Sequence, residues 1–216
     1  MFLTSVVTLV VGAISCVSAA PAAAGELMQL TPRDSCDGGG LYSSYWSDYR
    51  NSRYSCGAGG HYDLSWGNGG NVVAGRGWKP SSPRTVTYSG SWHCNGNCYL
   101  SVYGWTKNPL VEYYIVENYG NYNPSAGAQK RGQVTADGSI YDIYISTQHN
   151  QPSILGTNTF HQYWSIRRNK RVGGTVSTGV HFNAWRSLGM PLGTYDYMIV
   201  ATEGYHSSGS ASITVS

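Results

Sequence analysis

The chain has 216 residues, of which 13% are aromatic and only 12% charged, and its net charge is +3. This length suits one compact domain. The basic residues are scattered except for a cluster at 167–171, which is more typical of a solvated loop than of a nucleic-acid surface. The composition therefore argues against nucleic acid as a partner and favours a neutral polymer whose flat faces stack on Tyr and Trp rings.

The first 33 residues are predicted to be removed from the protein. Met1–Ala19 contains an apolar run that ends in small residues, which is typical of a secretory signal peptide and too short for a membrane anchor. Ala20–Arg33 is rich in alanine, and its terminal arginine suggests a pro-segment cut by a protease. We therefore expect a single domain over residues 34–216, secreted into the extracellular space and without a membrane partner.

Short β-strands are predicted along almost all of residues 34–216. Runs rich in Tyr, Val, Ile, Thr and Trp alternate with Gly- and Asn-containing turn signals. The runs are Tyr99–Tyr103, Val111–Val116, Ile140–Ile145, Thr159–Ile166 and Tyr195–Ala201. Strands at this spacing without helices between them predict an all-β fold, either an antiparallel sandwich or a jelly roll.

One segment has a helical pattern instead. Phe182, Trp185 and Leu188 recur at the spacing of one helix face, and Gly189 with Pro191 ends the pattern. We expect a single α-helix that packs against the outside of the sheet.

Four cysteines remain after the leader: Cys36, Cys56, Cys94 and Cys98. The sequence alone does not choose among their three possible pairings. Asn95-Gly96 predicts a tight turn that brings Cys94 and Cys98 together, which would leave Cys36 to pair with Cys56. Free thiols are disfavoured in an oxidising compartment. No histidine lies at ligand spacing beside the cysteines and no Asp-rich loop is present, so neither a metal nor another cofactor is expected.

Two glutamates are candidates for glycosidic-bond chemistry, which needs a carboxyl group on each side of the scissile carbon. In the predicted strand, Glu112 shares its face with Tyr114, whereas Glu117 points to the opposite face. Glu203 follows an apolar run, and a carboxyl at the end of a buried strand could have the raised pKa of a general acid. Glu112 and Glu117 are equally well explained as solvent-facing strand residues, so this evidence for a glycosidase is weak.

Two motifs carry a family resemblance. Pro109–Tyr114 and Thr202–Tyr205 resemble the signature motifs of the family 11 glycoside hydrolases, the small xylanases. Supporting stretches follow in the family's order: Tyr42–Trp46, Gly75–Trp78, Leu100–Trp105, Tyr141–Tyr144, Asn150–Ile154, Gln162–Arg168 and His181–Trp185. The resemblance implies a β-jelly roll of two curved antiparallel sheets with one helix. It also implies a monomeric endo-β-1,4-xylanase that cleaves xylan with retention of configuration.

The resemblance also implies roles for individual residues. Glu112 matches the nucleophile and Glu203 the acid/base, with carboxyl groups roughly 5–5.5 Å apart. Asn71 matches a residue that contacts the acid/base, and Asn at this position implies a weakly acidic pH optimum. The remaining matches are Trp46, which would stack on a xylose unit, the cleft tyrosines Tyr99, Tyr103, Tyr114 and Tyr197, the nucleophile's neighbour Gln162, and Pro152 at the tip of the thumb hairpin.

One position departs from the family pattern. The family usually has arginine two residues before the match to Asn150, and this chain has Gln148. A neutral amide replaces a hydrogen bond but not the charge, so we expect weaker binding or an altered pKa of Glu112. Two other functions fit the same architecture: hydrolysis of β-glucan, as in the family 12 cellulases, and carbohydrate binding without catalysis. Both glutamate motifs argue against the second.

Overall fold

The computed structural model describes residues 36, 40–48 and 51–216. The predicted signal peptide (1–19) and pro-segment (20–33) lie outside these residues. The described part contains one short 3₁₀ turn at Ala58–Gly60, one α-helix and eleven strands. These elements are β1 Tyr42–Ser47, β2 Arg53–Cys56, β3 His61–Trp66, β4 Asn71–Trp78, β5 Thr85–Lys107, β6 Val111–Tyr119, β7 Gln129–Ala136, β8 Ser139–Ser153, β9 Gly156–Arg167, β10 Gly174–Ser177, α1 Thr178–Ser187 and β11 Thr194–Val215.

The strands form two layers that share β5 and β11. The main layer has the order β1-β4-β11-β5-β6-β9-β8-β7, whereas β3 pairs with the last part of β11 and β10 with the first part of β5. β5 and β11 are 23 and 22 residues long, which is several times the usual strand length and enough to pass through both layers. The predicted all-β jelly roll with a single helix is therefore confirmed.

One strand pair departs from the antiparallel prediction. β6 and β9 run parallel, with Glu112 opposite Gln162. The chain leaves β6 through the long connection at 120–128 and enters β7, which runs in the same direction as β6; β8 is antiparallel to β7, and β9 is antiparallel to β8. Since β9 is the strand that lies beside β6, this crossover makes the two parallel.

The turn predicted at Asn95-Gly96 is wrong, because β5 continues through both residues. A register shift in the β5–β11 ladder occurs here instead, and the positive φ of Gly96 (117°) accommodates the irregular backbone. Cys94 and Cys98 nevertheless pair within this single strand, with their Cα atoms 6.0 Å apart. Cys36 pairs with Cys56 at a Cα separation of 5.3 Å. The predicted pairing of all four cysteines is therefore confirmed, although the tight turn from which it was predicted is absent.

The two faces of the main layer carry separate apolar clusters. The larger one lies between the layers and beneath α1, where Phe182 and Trp185 contact Tyr113 with ring centroids 5.3 and 6.1 Å apart. The predicted helix is thus confirmed, and it packs against the face of the main layer to which Tyr113 points. The smaller cluster covers the opposite face, to which the neighbouring Glu112 points. α1 has ten residues, and in the described part of the chain no helix is long and apolar enough to cross a bilayer.

Candidate active site

Glu112 lies in the middle of the sheet with no exposed surface. Its Oε1 accepts hydrogen bonds from the hydroxyls of Tyr103 (2.8 Å) and Tyr114 (3.1 Å), and its Oε2 accepts one from Nε2 of Gln162 (2.7 Å). Burial raises the pKa of Glu112 to about 7, since the charged form loses its hydration, and the three donors offset only part of this rise. Both carboxylate oxygens are therefore supplied with donors that favour the ionised form.

Glu203 has a poorer set of partners. It is 3% exposed and, among the described residues, its one side-chain hydrogen-bond partner is the Tyr114 hydroxyl, 3.4 Å from its Oε2. This hydroxyl has a single hydrogen and cannot donate to Glu112 and Glu203 at the same time. Burial raises its pKa, the negative charge of Glu112 raises it further, and the Tyr114 contact lowers it. The donors to Glu112 lower its pKa, and the charge of Glu112 raises that of Glu203, so both contributions favour ionisation of Glu112 before Glu203.

The Tyr114 hydroxyl lies within hydrogen-bond distance of both carboxyl groups. In the strand register Glu112 lies opposite Trp105 and Glu203 opposite Tyr99, which are six positions, or about 20 Å, apart along an ideal β5. The shared contact shows that the sheet curves strongly between them. The two carboxyl oxygens cannot be further apart than the sum of 3.1 and 3.4 Å, about 6.5 Å. This limit lies at the lower end of the range for inverting glycosidases and includes the range of retaining ones.

Aromatic rings surround the carboxyl pair on this face. Tyr103 contacts Tyr114 and Tyr197, with ring centroids 4.8 and 6.0 Å apart. Tyr99, which lies opposite Glu203 in the ladder, is fully buried. All four tyrosines named from the sequence are thus on strands β5, β6 and β11 at the carboxyl pair. Tyr42 also belongs to this face, 5.4 Å from Tyr197, and was not singled out from the sequence.

Trp46, Asn71 and Pro152 lie around this centre. Trp46 in β1 is partly exposed and pairs with Val73, the β4 neighbour of Glu203. Asn71 is 1% exposed and diagonal to Glu203, but neither atom of its amide has a hydrogen-bond partner within the described residues. The contact of Asn71 with the acid/base thus stays a prediction. Pro152 is half-buried near the end of the β8–β9 hairpin, where Ile154 packs against the smaller cluster.

Gln162 is itself held by hydrogen bonds from neighbouring side chains. Its Oε1 accepts hydrogen bonds from Nε2 of Gln148 (2.7 Å) and from the Ser146 hydroxyl (3.1 Å). Gln148, the departure from the family pattern, is therefore one hydrogen bond away from the residue that contacts Glu112. Ser146 in turn accepts from Nε1 of Trp164 (3.0 Å). Neither Ser146 nor Trp164 was identified as a site residue from the sequence. The one available signal was that Gln162 and Trp164 are two residues apart in β9 and therefore lie on the same face of the strand.

Within the ranges that the structure describes, no three His, Cys, Asp or Glu side chains come close enough to hold an ion together. The polar groups at the carboxyl pair are phenols, indoles and amides, which hydrogen-bond to hydroxyl groups and stack on sugar rings. The arrangement can therefore bind a neutral saccharide and supply one ionised and one protonated carboxyl group.

Comparisons with known proteins agree with this chemistry. The family model "Glycosyl hydrolases family 11" matches residues 38–214. "Endo-1,4-beta-xylanase 1" of Claviceps purpurea is 93% identical over the full length of both chains. "Endo-1,4-beta-xylanase I" of Cochliobolus carbonum is 55% identical, covering 98% of this chain and 97% of the relative. A solved structure of an endo-1,4-β-xylanase from Trichoderma reesei superposes with a TM-score of 0.78 at 44% identity, covering 81% of this chain and 97% of that one.

Proposed function

The chain belongs to glycosyl hydrolase family 11, and we propose that it is an endo-1,4-β-xylanase that cleaves xylan by a retaining double displacement. The observation that carries the proposal is the Tyr114 hydroxyl, which contacts two buried carboxyl groups of unequal pKa at the centre of an aromatic face. The names of the relatives support xylan as the polymer.

In the first step, ionised Glu112 attacks the anomeric carbon and forms a glycosyl-enzyme ester. Glu203 protonates the departing glycosidic oxygen at the same time. The upper limit of about 6.5 Å on the separation of the two carboxyl oxygens supports this assignment, because an inverting enzyme needs room for a water between the carboxyl groups and the substrate.

In the second step, Glu203 changes from acid to base. Once Glu112 is esterified, its negative charge is gone, and the electrostatic contribution that raised the pKa of Glu203 is lost. Glu203, which gave its proton to the departing oxygen in the first step, therefore stays ionised; it takes a proton from a water molecule, and this water attacks the anomeric carbon and releases the sugar from Glu112. Two inversions at the same carbon leave the configuration unchanged.

The setting of this reaction is also part of the proposal. The apolar N-terminal run and two disulfides support a secreted protein that works outside the cell. The partner is the xylan chain itself, bound by Trp46 and the cleft tyrosines, and the protein is a monomer without a cofactor. The β8–β9 hairpin, with Pro152 near its tip, closes over the sugar.

The test is release of reducing ends from xylan and from carboxymethylcellulose by the purified mature protein. We expect activity on xylan alone and its loss in Glu112→Gln. Glu117→Gln is the matched control, since Glu117 is equally buried but points to the other face, where it pairs with Arg171 over 2.5 Å. It should lower the free energy of unfolding but keep the activity of the folded protein. Equal activity on the cellulose derivative would mean that the substrate is a β-glucan. Folded protein that is inactive on both polymers would refute the proposal that the chain is an enzyme.

A further inference from the structure

Each oxygen of the Glu112 carboxylate ends a chain of hydrogen bonds that starts at a tryptophan. In the first chain, Nε1 of Trp105 donates to the Tyr103 hydroxyl over 2.7 Å, and this hydroxyl donates to Glu112 Oε1 over 2.8 Å. An indole N–H can only donate. The Tyr103 oxygen is therefore held as an acceptor on one side, which leaves its hydrogen directed at the carboxylate.

The second chain runs through an amide. Nε1 of Trp164 donates to the Ser146 hydroxyl (3.0 Å), which donates to Oε1 of Gln162 (3.1 Å), and Nε2 of Gln162 donates to Glu112 Oε2 (2.7 Å). Since the indole occupies Ser146 as an acceptor, the single hydroxyl hydrogen points at Gln162. A hydroxyl donor can be met only by the amide oxygen, so the amide nitrogen must face Glu112.

We propose that Trp105 and Trp164 are positioning residues for the nucleophile, because their donor-only indoles direct the hydroxyl hydrogens of Tyr103 and Ser146 towards Glu112 and Gln162. Gln148 Nε2 is a second donor to Gln162 Oε1, over 2.7 Å, and supports the same orientation of the amide. The inference rests on the proposed function for the role of Glu112, but the geometry is independent of it. Without Trp105, the Tyr103 oxygen loses the donor that occupies it, and the Tyr103 hydrogen can turn away from the carboxylate. Without Trp164, the Ser146 hydrogen can turn away from Gln162, which leaves Gln148 Nε2 as the remaining donor to Gln162 Oε1 and weakens the support of the amide that faces Glu112.

Both indoles also lie in the smaller apolar cluster, so packing must be separated from donation. Trp164 stacks on Tyr114 with ring centroids 4.1 Å apart, and Trp105 packs edge-on against Phe160 at 4.9 Å. Phenylalanine keeps an aromatic ring at each position but removes part of the indole together with its N–H, so the effect of lost packing needs its own controls. Trp92 is the matched control, because it is another tryptophan of β5 whose Nε1 has no hydrogen-bond partner within the described residues.

The experiment measures the protonation of Glu112 directly. Mature protein labelled with ¹³C at the glutamate carboxyl carbon gives resolvable signals for Glu112, Glu117 and Glu203, which are titrated by NMR alongside the pH dependence of kcat/KM. In Trp105→Phe and Trp164→Phe we expect the Glu112 midpoint to rise by about half a pH unit or more, because weakened donors favour the neutral acid. The acidic limb of the kcat/KM profile should move to higher pH by the same amount. At the same time kcat should fall at least about threefold with little change in KM.

Ser146 provides a second variant that disturbs packing less. Ser146→Ala should raise the Glu112 midpoint as Trp164→Phe does, and Ser146→Thr, which keeps a hydroxyl, should restore it. Trp92→Phe should leave the midpoint unchanged. An unchanged midpoint in Trp105→Phe, Trp164→Phe and Ser146→Ala, or an equal rise in Trp92→Phe, would overturn the proposal. Wild-type protein that fails to cleave xylan would instead refute the proposed function, while the carboxyl titration still decides the positioning role.

Discussion

Gln162 lies directly opposite Glu112 in the parallel β6–β9 pair and donates to its Oε2 over 2.7 Å. Residues in register on neighbouring strands point to the same face, so the strand pairing itself brings the amide beside the carboxylate. Together with Tyr103 and Tyr114 it gives Glu112 three donors, whereas Glu203 shares the Tyr114 hydroxyl with Glu112 and has no other side-chain partner among the described residues. This unequal distribution of donors gives two buried carboxyl groups different tasks.

The first prediction concerns the division of roles. In Glu203→Ala, turnover of xylan should fall by about 10²–10⁴, since general acid–base catalysis is lost. With an aryl xylobioside, whose leaving group needs no proton, added azide should restore turnover by attacking the Glu112 ester. NMR of the product should show the β-azide. The α-azide from Glu203→Ala would mean a single displacement, and absence of rescue would contradict Glu203 as the acid/base.

The pH profile of kcat/KM should be bell-shaped. Activity rises as Glu112 loses its proton and falls as Glu203 loses its own, because the active form has the first ionised and the second protonated. Burial raises both pKa values, and the charge of Glu112 keeps that of Glu203 the higher. The match of neutral Asn71 to the family implies a weakly acidic optimum, and the raised pKa values of about 7 for Glu112 and about 8 for Glu203 move the expected maximum towards neutral pH. Rates measured from strong acid to mild alkali test this, and a maximum in strong acid would refute it.

Gln148→Arg should return a positive charge to the vicinity of the nucleophile. Its effect is transmitted through Gln162, which accepts a hydrogen bond from Gln148 over 2.7 Å. A cation there favours ionised Glu112, so the acidic limb should move to lower pH and KM for xylan should fall. Thr147→Arg is the matched control, because this exposed neighbour points to the other face of β8. Kinetics unchanged by Gln148→Arg would show that the departure from the family pattern is neutral.

Acid should destabilise the protein through His181. This buried ring of α1 lies edge-on to Tyr141 at 4.5 Å. Burial lowers its pKa to about 4, Asp137 opposes the shift and Arg167 adds to it. The unfolded chain takes up the proton near pH 6.5, so stability is full above that pH and declines between about 6.5 and 4. Urea unfolding at several pH values should show a smaller decline in His181→Phe than in the wild type; equal slopes would contradict this.

The two disulfides should contribute unequally to stability. Cys36–Cys56 closes a loop with a sequence separation of 20, whereas Cys94–Cys98 closes one of 4. Loop-closure entropy then predicts that replacing both members by serine lowers the free energy of unfolding by about 3 kcal/mol for the first pair and about 2 kcal/mol for the second. Denaturant unfolding of the two double variants measures this order. A larger loss from Cys94–Cys98 would mean that it holds the irregular part of β5 in place.

Local patterns in the sequence determined several parts of the outcome. A period of two in the chain placed Glu112 and Tyr114 on one face of a strand and Glu117 on the other, because successive side chains in a strand alternate. The helical spacing of Phe182 and Trp185 predicted the one helix. Family motifs added the two glutamates as a pair. These inferences depend on neighbours within a few residues, where backbone geometry is fixed by elementary sterics.

Contacts between distant segments decided the rest. The sequence could not reveal that β6 and β9 are parallel, or that Asn95-Gly96 continues a strand instead of turning it. Nor did it show that Trp164 and Ser146 hold the amide of Gln162. The physical reason is that pairing direction, register and curvature are set by the burial of whole faces against each other. The short distance between Glu112 and Glu203 therefore exists only in the folded sheet, in which the Tyr114 hydroxyl contacts both carboxyl groups.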